Sequence, residues 1–247
     1  MSFGSLALIG AAIFVSSLVS GVFGIAGAMI LLGVLLVFFD VSTAMVMLSL
    51  LTTAGNTWRV VAWWRYVDWS IWRAYILGAA VAVLALRSVE FLPSKWLVYL
   101  ILGLIPFAIE LLPRAFHPKI EWRGAAIFCG FSTTAIQLIA GNGGLIMDVF
   151  FQKSKLSRHT TVATKATCGT VGNVARLVYF GSLAGIDEKF PLWAFVPAIL
   201  LALAASALAP LILHRMTDDG FRRWTRVLIF TVSAVYLVRA AWLFMHA

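Results

Sequence analysis

The residues best suited to chemistry lie on two helical faces. Lys165, Gly169, Asn173 and Arg176 are spaced four, four and three apart, which places them on one face of an α-helix. Leu48, Thr52, Asn56 and Arg59 repeat the spacing 117 residues earlier. Both sets sit in apolar runs. A cation in hydrocarbon costs at least ~2.5–3.5 kcal/mol on insertion scales, so it faces a cavity, a partner or an anion, or it snorkels to the headgroups. Asn56 and Asn173 lie about two-thirds along their runs and need hydrogen-bond partners, which are either neighbouring helices or a ligand.

Two glycine clusters add a second kind of chemistry. Gly21, Gly24 and Gly27 interrupt one apolar run, and Gly141, Gly143 and Gly144 interrupt another. A half-helix starting just after Gly27 or Gly144 would turn free N–H groups and a positive dipole end into the protein, which is an anion site by geometry. Close helix packing through small residues is the alternative reading. Gln137, Asn142 and Thr164 add neutral donors beside the second cluster. The candidate substrate-binding set is therefore Gly24, Gly27, Asn56, Arg59, Gln137, Asn142, Gly143, Gly144, Thr164, Lys165, Asn173 and Arg176. Of the acidic residues, Glu110 and Asp148 lie in or beside the runs, and each is either a proton-coupling carboxylate or a paired, interfacial one.

Enzyme chemistry finds no support. There is no HExxH, GxSxG or P-loop, so no catalytic residue, metal or cofactor is expected. Cys129 and Cys168 lack metal or redox spacing and read as small buried hydrophobes, and His159 reads as a loop residue.

The elements that position these groups follow from composition. Of 247 residues, 62% are hydrophobic and 12% charged, about half the charged share of a soluble domain. Eight apolar runs are long enough to cross a bilayer: Ser5–Phe39, Thr43–Trp64, Trp69–Leu86, Lys95–Leu112, Gly124–Phe151, Thr160–Gly181, Pro191–Leu213 and Trp224–Phe244. The chain reads as one all-α membrane domain over residues 1–247. The net charge of +9 falls mostly between the runs, where it meets headgroups and argues against nucleic acid as partner. No basic residue precedes the first run, so it is expected to stay as a transmembrane helix rather than be a signal peptide.

The first and fifth runs are too long for one straight crossing, and each contains a glycine cluster, so each is expected to be a broken helix. An offset of 117 residues superposes Gly24 on Gly141, Gly27 on Gly144, Thr43 on Thr160, Gly55 on Gly172, Asn56 on Asn173, Arg59 on Arg176 and Pro93 on Pro210. The chain is thus read as two tandem four-helix repeats, about 5–113 and 124–245. Four crossings per repeat give parallel halves; if the glycine breaks are re-entrant hairpins, the halves are inverted. With eight crossings, loop charge groups Arg87 and Lys95 with Lys153, Lys155 and Arg158, and favours both termini outside the cytoplasm.

The segments Gly21-Val22-Phe23-Gly24-Ile25-Ala26-Gly27-Ala28 and Gly141-Asn142-Gly143-Gly144, with Gly55-Asn56, Gly172-Asn173 and Val67-Asp68-Trp69, resemble the TauE/SafE sulfite exporter family, also called the 4-toluene sulfonate uptake permease family. The likeness runs from about Ser5 to Trp242. It implies duplicated helical units in the bacterial inner membrane and movement of sulfite or organosulfonates. Ala26 and Ala28 interrupt the first motif, and Leu145 stands where the second often has proline. The reading is a secondary transporter of a small sulfur-containing anion, with the lipid bilayer, a coupling proton and a second copy of the chain as possible partners. A passive anion channel and a non-transporting scaffold are the alternatives.

Overall fold

The computed structural model describes residues 3–23, 25–113, 117–183, 195–213 and 217–246. Among them are ten α-helices and no strand: α1 Phe3–Phe23, α2 Ile25–Phe38, α3 Val41–Trp63, α4 Trp69–Ser88, α5 Lys95–Leu111, α6 Ala125–Ala140, α7 Gly144–Phe151, α8 Arg158–Leu183, α9 Phe195–Leu213 and α10 Asp218–Met245. Local chemistry sets several starts. The Asp40 carboxylate accepts from the Ser42 and Thr43 amides at the head of α3, and Asp68 does the same for Ser70 and Ile71 at the head of α4.

Eight apolar runs become ten helices because the first and fifth are each two helices. In both, the chain turns back on itself. Gly27 of α2 lies so close to α1 that a Cβ there would overlap the Ser20 amide and the Ser16 carbonyl. In an unbroken helix those residues would sit about 10 and 16 Å away along the axis. Gly24, between the two helices, lies outside the described residues. At the second break Gly141 adopts φ +81, a conformation that favours glycine, and ends α6. Gly143 then packs against the Thr133 carbonyl of α6. The far end of α7 returns to the start of α6: Ile120 N donates to Phe150 O at 3.2 Å, and His117 Nδ1 lies 2.7 Å from Gln152 Oε1. The chain enters and leaves this hairpin at one end of the bundle. Each of the two long runs is therefore a helical hairpin and not one straight or kinked helix.

Helices α3 and α8 run antiparallel through the centre. Trp63 stacks on His159 at one extreme (4.7 Å between rings), while Arg176 reaches Ser49 and Thr52 nearer the other. Helices α4 and α6 also cross, close enough for their backbones to meet: a Cβ on Gly78 would overlap Ile127 O, and one on Gly130 would overlap Tyr75 O. Helix α1 packs on α9, and α5 on α10. The core along α2, α3 and α8 is filled by Met29, Leu32, Leu35, Met45, Met47 and Phe180.

These contacts define two ends of the bundle. One end holds Trp63 and His159, residues 119–123, the turn between α7 and α8, and the Glu110–Arg226 ion pair. The other holds Lys95, which donates to Leu36 O (2.8 Å), and Tyr179, which donates to Leu86 O and Phe91 O. Arg87 and Lys95 thus lie opposite Lys153, Lys155 and Arg158, and the loop grouping expected from eight straight crossings is corrected.

By length and composition, α4 and the Arg223–Met245 part of α10 suffice to cross a membrane alone. Shorter apolar helices include Gly10–Ser20, Ala26–Phe38 and Ala125–Ala140. The outer surface is apolar: Leu77, Leu84, Val178, Val238 and Phe244 are all more than half exposed.

Candidate functional site

A cavity of about 410 Å³ lies between the two hairpins and the α3–α8 pair. Eight of the residues singled out by sequence line it: Gly27, Asn56, Gln137, Asn142, Gly144, Lys165, Asn173 and Arg176. Gly24 and the side chain of Arg59 lie outside the described residues. Two others are placed away from the cavity. Thr164 is fully buried and accepts from the Asp68 amide at 2.9 Å, tying α8 to the head of α4. Gly143 faces the Thr133 carbonyl, where its lack of a side chain lets the hairpin close.

Arg176 dominates the electrostatics. It is 1% exposed and touches only neutral acceptors. Its Nε donates to Ser49 Oγ at 2.7 Å, one terminal nitrogen to the Gly141 carbonyl, and the other to Asn173 Oδ1 at 3.3 Å and Thr52 Oγ1 at 3.4 Å. The guanidinium thus caps the carbonyl end of α6, where a cation is favoured by the helix dipole. No carboxylate pairs with it among the described residues. Four hydrogen bonds hold the fork in place but leave its charge uncancelled, and a buried cation without a counterion is what an incoming anion requires.

Neutral donors complete the wall. Asn173 Oδ1 is occupied by Arg176 and by Gln137 Nε2 (2.8 Å), so the Asn173 NH₂ remains to donate elsewhere. Across the α3–α8 crossing, Asn56 Nδ2 approaches Gly169, whose missing side chain leaves the room it occupies. Leu31, Leu48, Leu51, Leu145 and Met147 line the rest of the cavity with apolar surface.

The proposed cradle of amides at the half-helix starts is largely filled from within. Asn142 Oδ1 accepts from the Gly144 amide at 3.1 Å, and Gly143 O accepts from Ile146 and Met147. Helix α2 begins at Ile25, before Gly27, and Gly27 is pressed against α1. The second break therefore contributes a carbonyl that orients Arg176 more than it contributes donors to a ligand. Sequence reasoning missed Ser49, because a lone serine in an apolar run gives no signal. It also missed Ser16, Ser17 and Ser20 of α1, which line the cavity and fall, at the 117-residue offset, on Thr133, Thr134 and Gln137.

Lys165 has a different environment. It forms an ion pair with Asp148 of α7 on the cavity wall, toward the end of the bundle that holds the α7–α8 turn. Glu110 is paired with Arg226 at the same end, outside the cavity.

A family model described as "Sulfite exporter TauE/SafE" matches residues 8–237. No curated protein and no solved structure matches the chain.

Proposed function

Because the chain belongs to the sulfite exporter TauE/SafE family, and is therefore a membrane protein of a transporter family, we propose that it is a secondary transporter of a small sulfur-containing anion, bound in the central cavity by Arg176. The observation that carries this reading is a fully buried guanidinium on a cavity wall with neutral partners alone. Asn173 and Asn56 supply neutral donors to the remaining oxyanion oxygens. The leucines and Met147 accommodate the organic part of a sulfonate. A volume of about 410 Å³ suits a small solute of this kind.

Two further features support transport by alternating access. The 117-residue offset carries the α1–α9 contact onto α6–α4, and α2–α10 onto α7–α5, while α3–α8 maps onto itself in antiparallel fashion. That pattern is expected of two inverted repeats related by an axis in the membrane plane, each a five-helix unit with a re-entrant hairpin. Rocking of the halves about the α3–α8 crossing would expose the cavity to each side in turn.

Charge orients the molecule. Among the described residues, Arg65, Arg73, Lys119, Arg123, Lys153, Lys155, Arg158, Arg223 and Arg226 lie at one end of the bundle, against Arg87, Lys95 and Arg239 at the other. The rich end is cytoplasmic by the positive-inside rule, which places both termini outside the cytoplasm of a bacterial inner membrane. The test is flux of radiolabelled sulfite into proteoliposomes under opposed proton and voltage gradients. Accumulation above the external concentration is expected. Flux that only follows the sulfite gradient would make the protein a channel, and no flux of sulfite or of any sulfonate would remove the transport reading.

A further inference from the structure

The Lys165–Asp148 ion pair stands at a junction. A second cavity of about 400 Å³ adjoins the central one, and the two share Leu145, Asp148, Thr161 and Lys165 as lining. The pair is thus the charged part of the partition between them. It lies at the cation-rich end of the bundle, one turn below Thr161 and near the start of α8. Its side chains are 32% and 44% exposed, and both line the two cavities. Apart from Lys165, Asp148 Oδ1 has no partner and is enclosed.

Lys165 and Arg176 are eleven residues apart on α8, about 16 Å along the helix. Their heads have separate partners, Asp148 for Lys165 and Ser49, Gly141 and Asn173 for Arg176. If Arg176 holds the anion in the central cavity, Lys165 is a separate station on the way to it. The two halves also differ here. At the 117-residue offset, Asp148 and Lys165 correspond to Leu31 and Leu48, both buried. The fold therefore tolerates an apolar pair in this place, and the charges are not needed to build the helix contact.

We propose that Lys165 is a second anion-binding station, and that the Asp148 carboxylate is its built-in occupant, displaced when the transported oxyanion enters from the second cavity. This rests on the central cavity's being an anion site. The carboxylate resembles the substrate in charge and in its acceptor oxygens, so exchanging one for the other keeps Lys165 paired throughout. An empty partition stays closed by its own ion pair, and cations meet an ammonium at the entrance. The opposite side, with leucines at the equivalent positions, has no such station.

The test reads binding at Lys165 directly. Lys165 is acylated with acetic anhydride and the extent measured by peptide mass spectrometry, with exposed Lys155 as the internal reference, on the full chain in detergent. In Asp148→Asn, Lys165 should react at least about threefold faster than in the unmodified protein, since the ion pair that shields it is gone. Sulfite should restore the protection, and should still do so when Arg176→Gln is added. An anion confined to Arg176, three helical turns along α8, would leave Lys165 acylation unchanged. That result would overturn the proposal even if sulfite flux is normal, whereas protection without flux would leave the station standing and remove only the transport reading. The double variant Asp148→Leu/Lys165→Met recreates the apolar pair of the other half. It should fold, yet need roughly three- to fivefold more sulfite for half-maximal flux; an unchanged half-saturating concentration would count against the station.

Discussion

Replacing Arg176 by Gln separates binding from structure. Glutamine places its amide nitrogen near the position of Nε and keeps a donor for Ser49, but removes the charge and is too short for the Gly141 carbonyl. The hydrogen bonds lost are those to Gly141, Thr52 and Asn173, the last two being the longest of the set at 3.4 and 3.3 Å. Their loss is offset by relief from burying an unpaired cation, so the melting temperature should move by only a few degrees. Binding should suffer far more. For an anion roughly 5 Å from the guanidinium at an effective dielectric of about 20, the interaction is about 3.3 kcal/mol, or roughly 250-fold in affinity. Half-saturation of sulfite uptake in proteoliposomes should rise by about two orders of magnitude. Arg176→Lys, which keeps the charge and loses the fork, should fall between. A glutamine variant that folds and transports with half-saturation within threefold of the parent would refute the claim that this cation holds the anion.

Other substitutions report on the parts that position Arg176. Gly172→Ala should force aside the Gln137 amide and break its 2.8 Å bond to Asn173. A rise of roughly three- to tenfold in half-saturating sulfite, with thermal stability nearly unchanged, is expected from the loss of about one hydrogen bond. Gly143→Val collides with the Thr133 backbone and should open the second hairpin, seen as loss of the monodisperse peak in size-exclusion chromatography. Gly130→Leu meets the Tyr75 carbonyl across the α4–α6 crossing and should lower the melting temperature sharply, whereas leucine at exposed Gly181, with open space around it, should not. Asp40→Ala removes the cap of α3 and should cost about 1 kcal/mol, measured by denaturant titration in detergent, without altering the half-saturating sulfite concentration.

Much of this was legible in the sequence because the informative residues are costly ones. Asn56, Asn173, Lys165 and Arg176 stand out in apolar runs, and their helical spacing alone puts them on one side of α3 or α8. The glycine clusters likewise marked where the long runs break. The direction taken by the chain after each break was not legible, since a kinked crossing and a reversal need the same glycines. What decides between them is which backbone Gly27 and Gly143 approach, a tertiary fact. The same gap misled the loop-charge count, which depends on how often the chain changes sides. The amide cradle failed for a local reason: Asn142 lies close enough in sequence to satisfy the Gly144 N–H itself. Conversely, the partner of Arg176 that matters most for its aim is a backbone carbonyl, and side-chain patterns carry no trace of it.

The pairing of α1 with α9, and of α6 with α4, has a consequence for biosynthesis. The first hairpin leaves the ribosome long before the helix it rests on has been made, since some 170 residues separate Phe23 from the start of α9. At about 5–20 residues per second the delay is roughly ten to thirty seconds. During that interval the nascent α1–α2 hairpin must lean on lipid, the insertion machinery or a second unfinished chain. A gene split in the loop after Pro113 should therefore yield no stable product from either fragment alone, and recover a working protein when both fragments are made in the same cell.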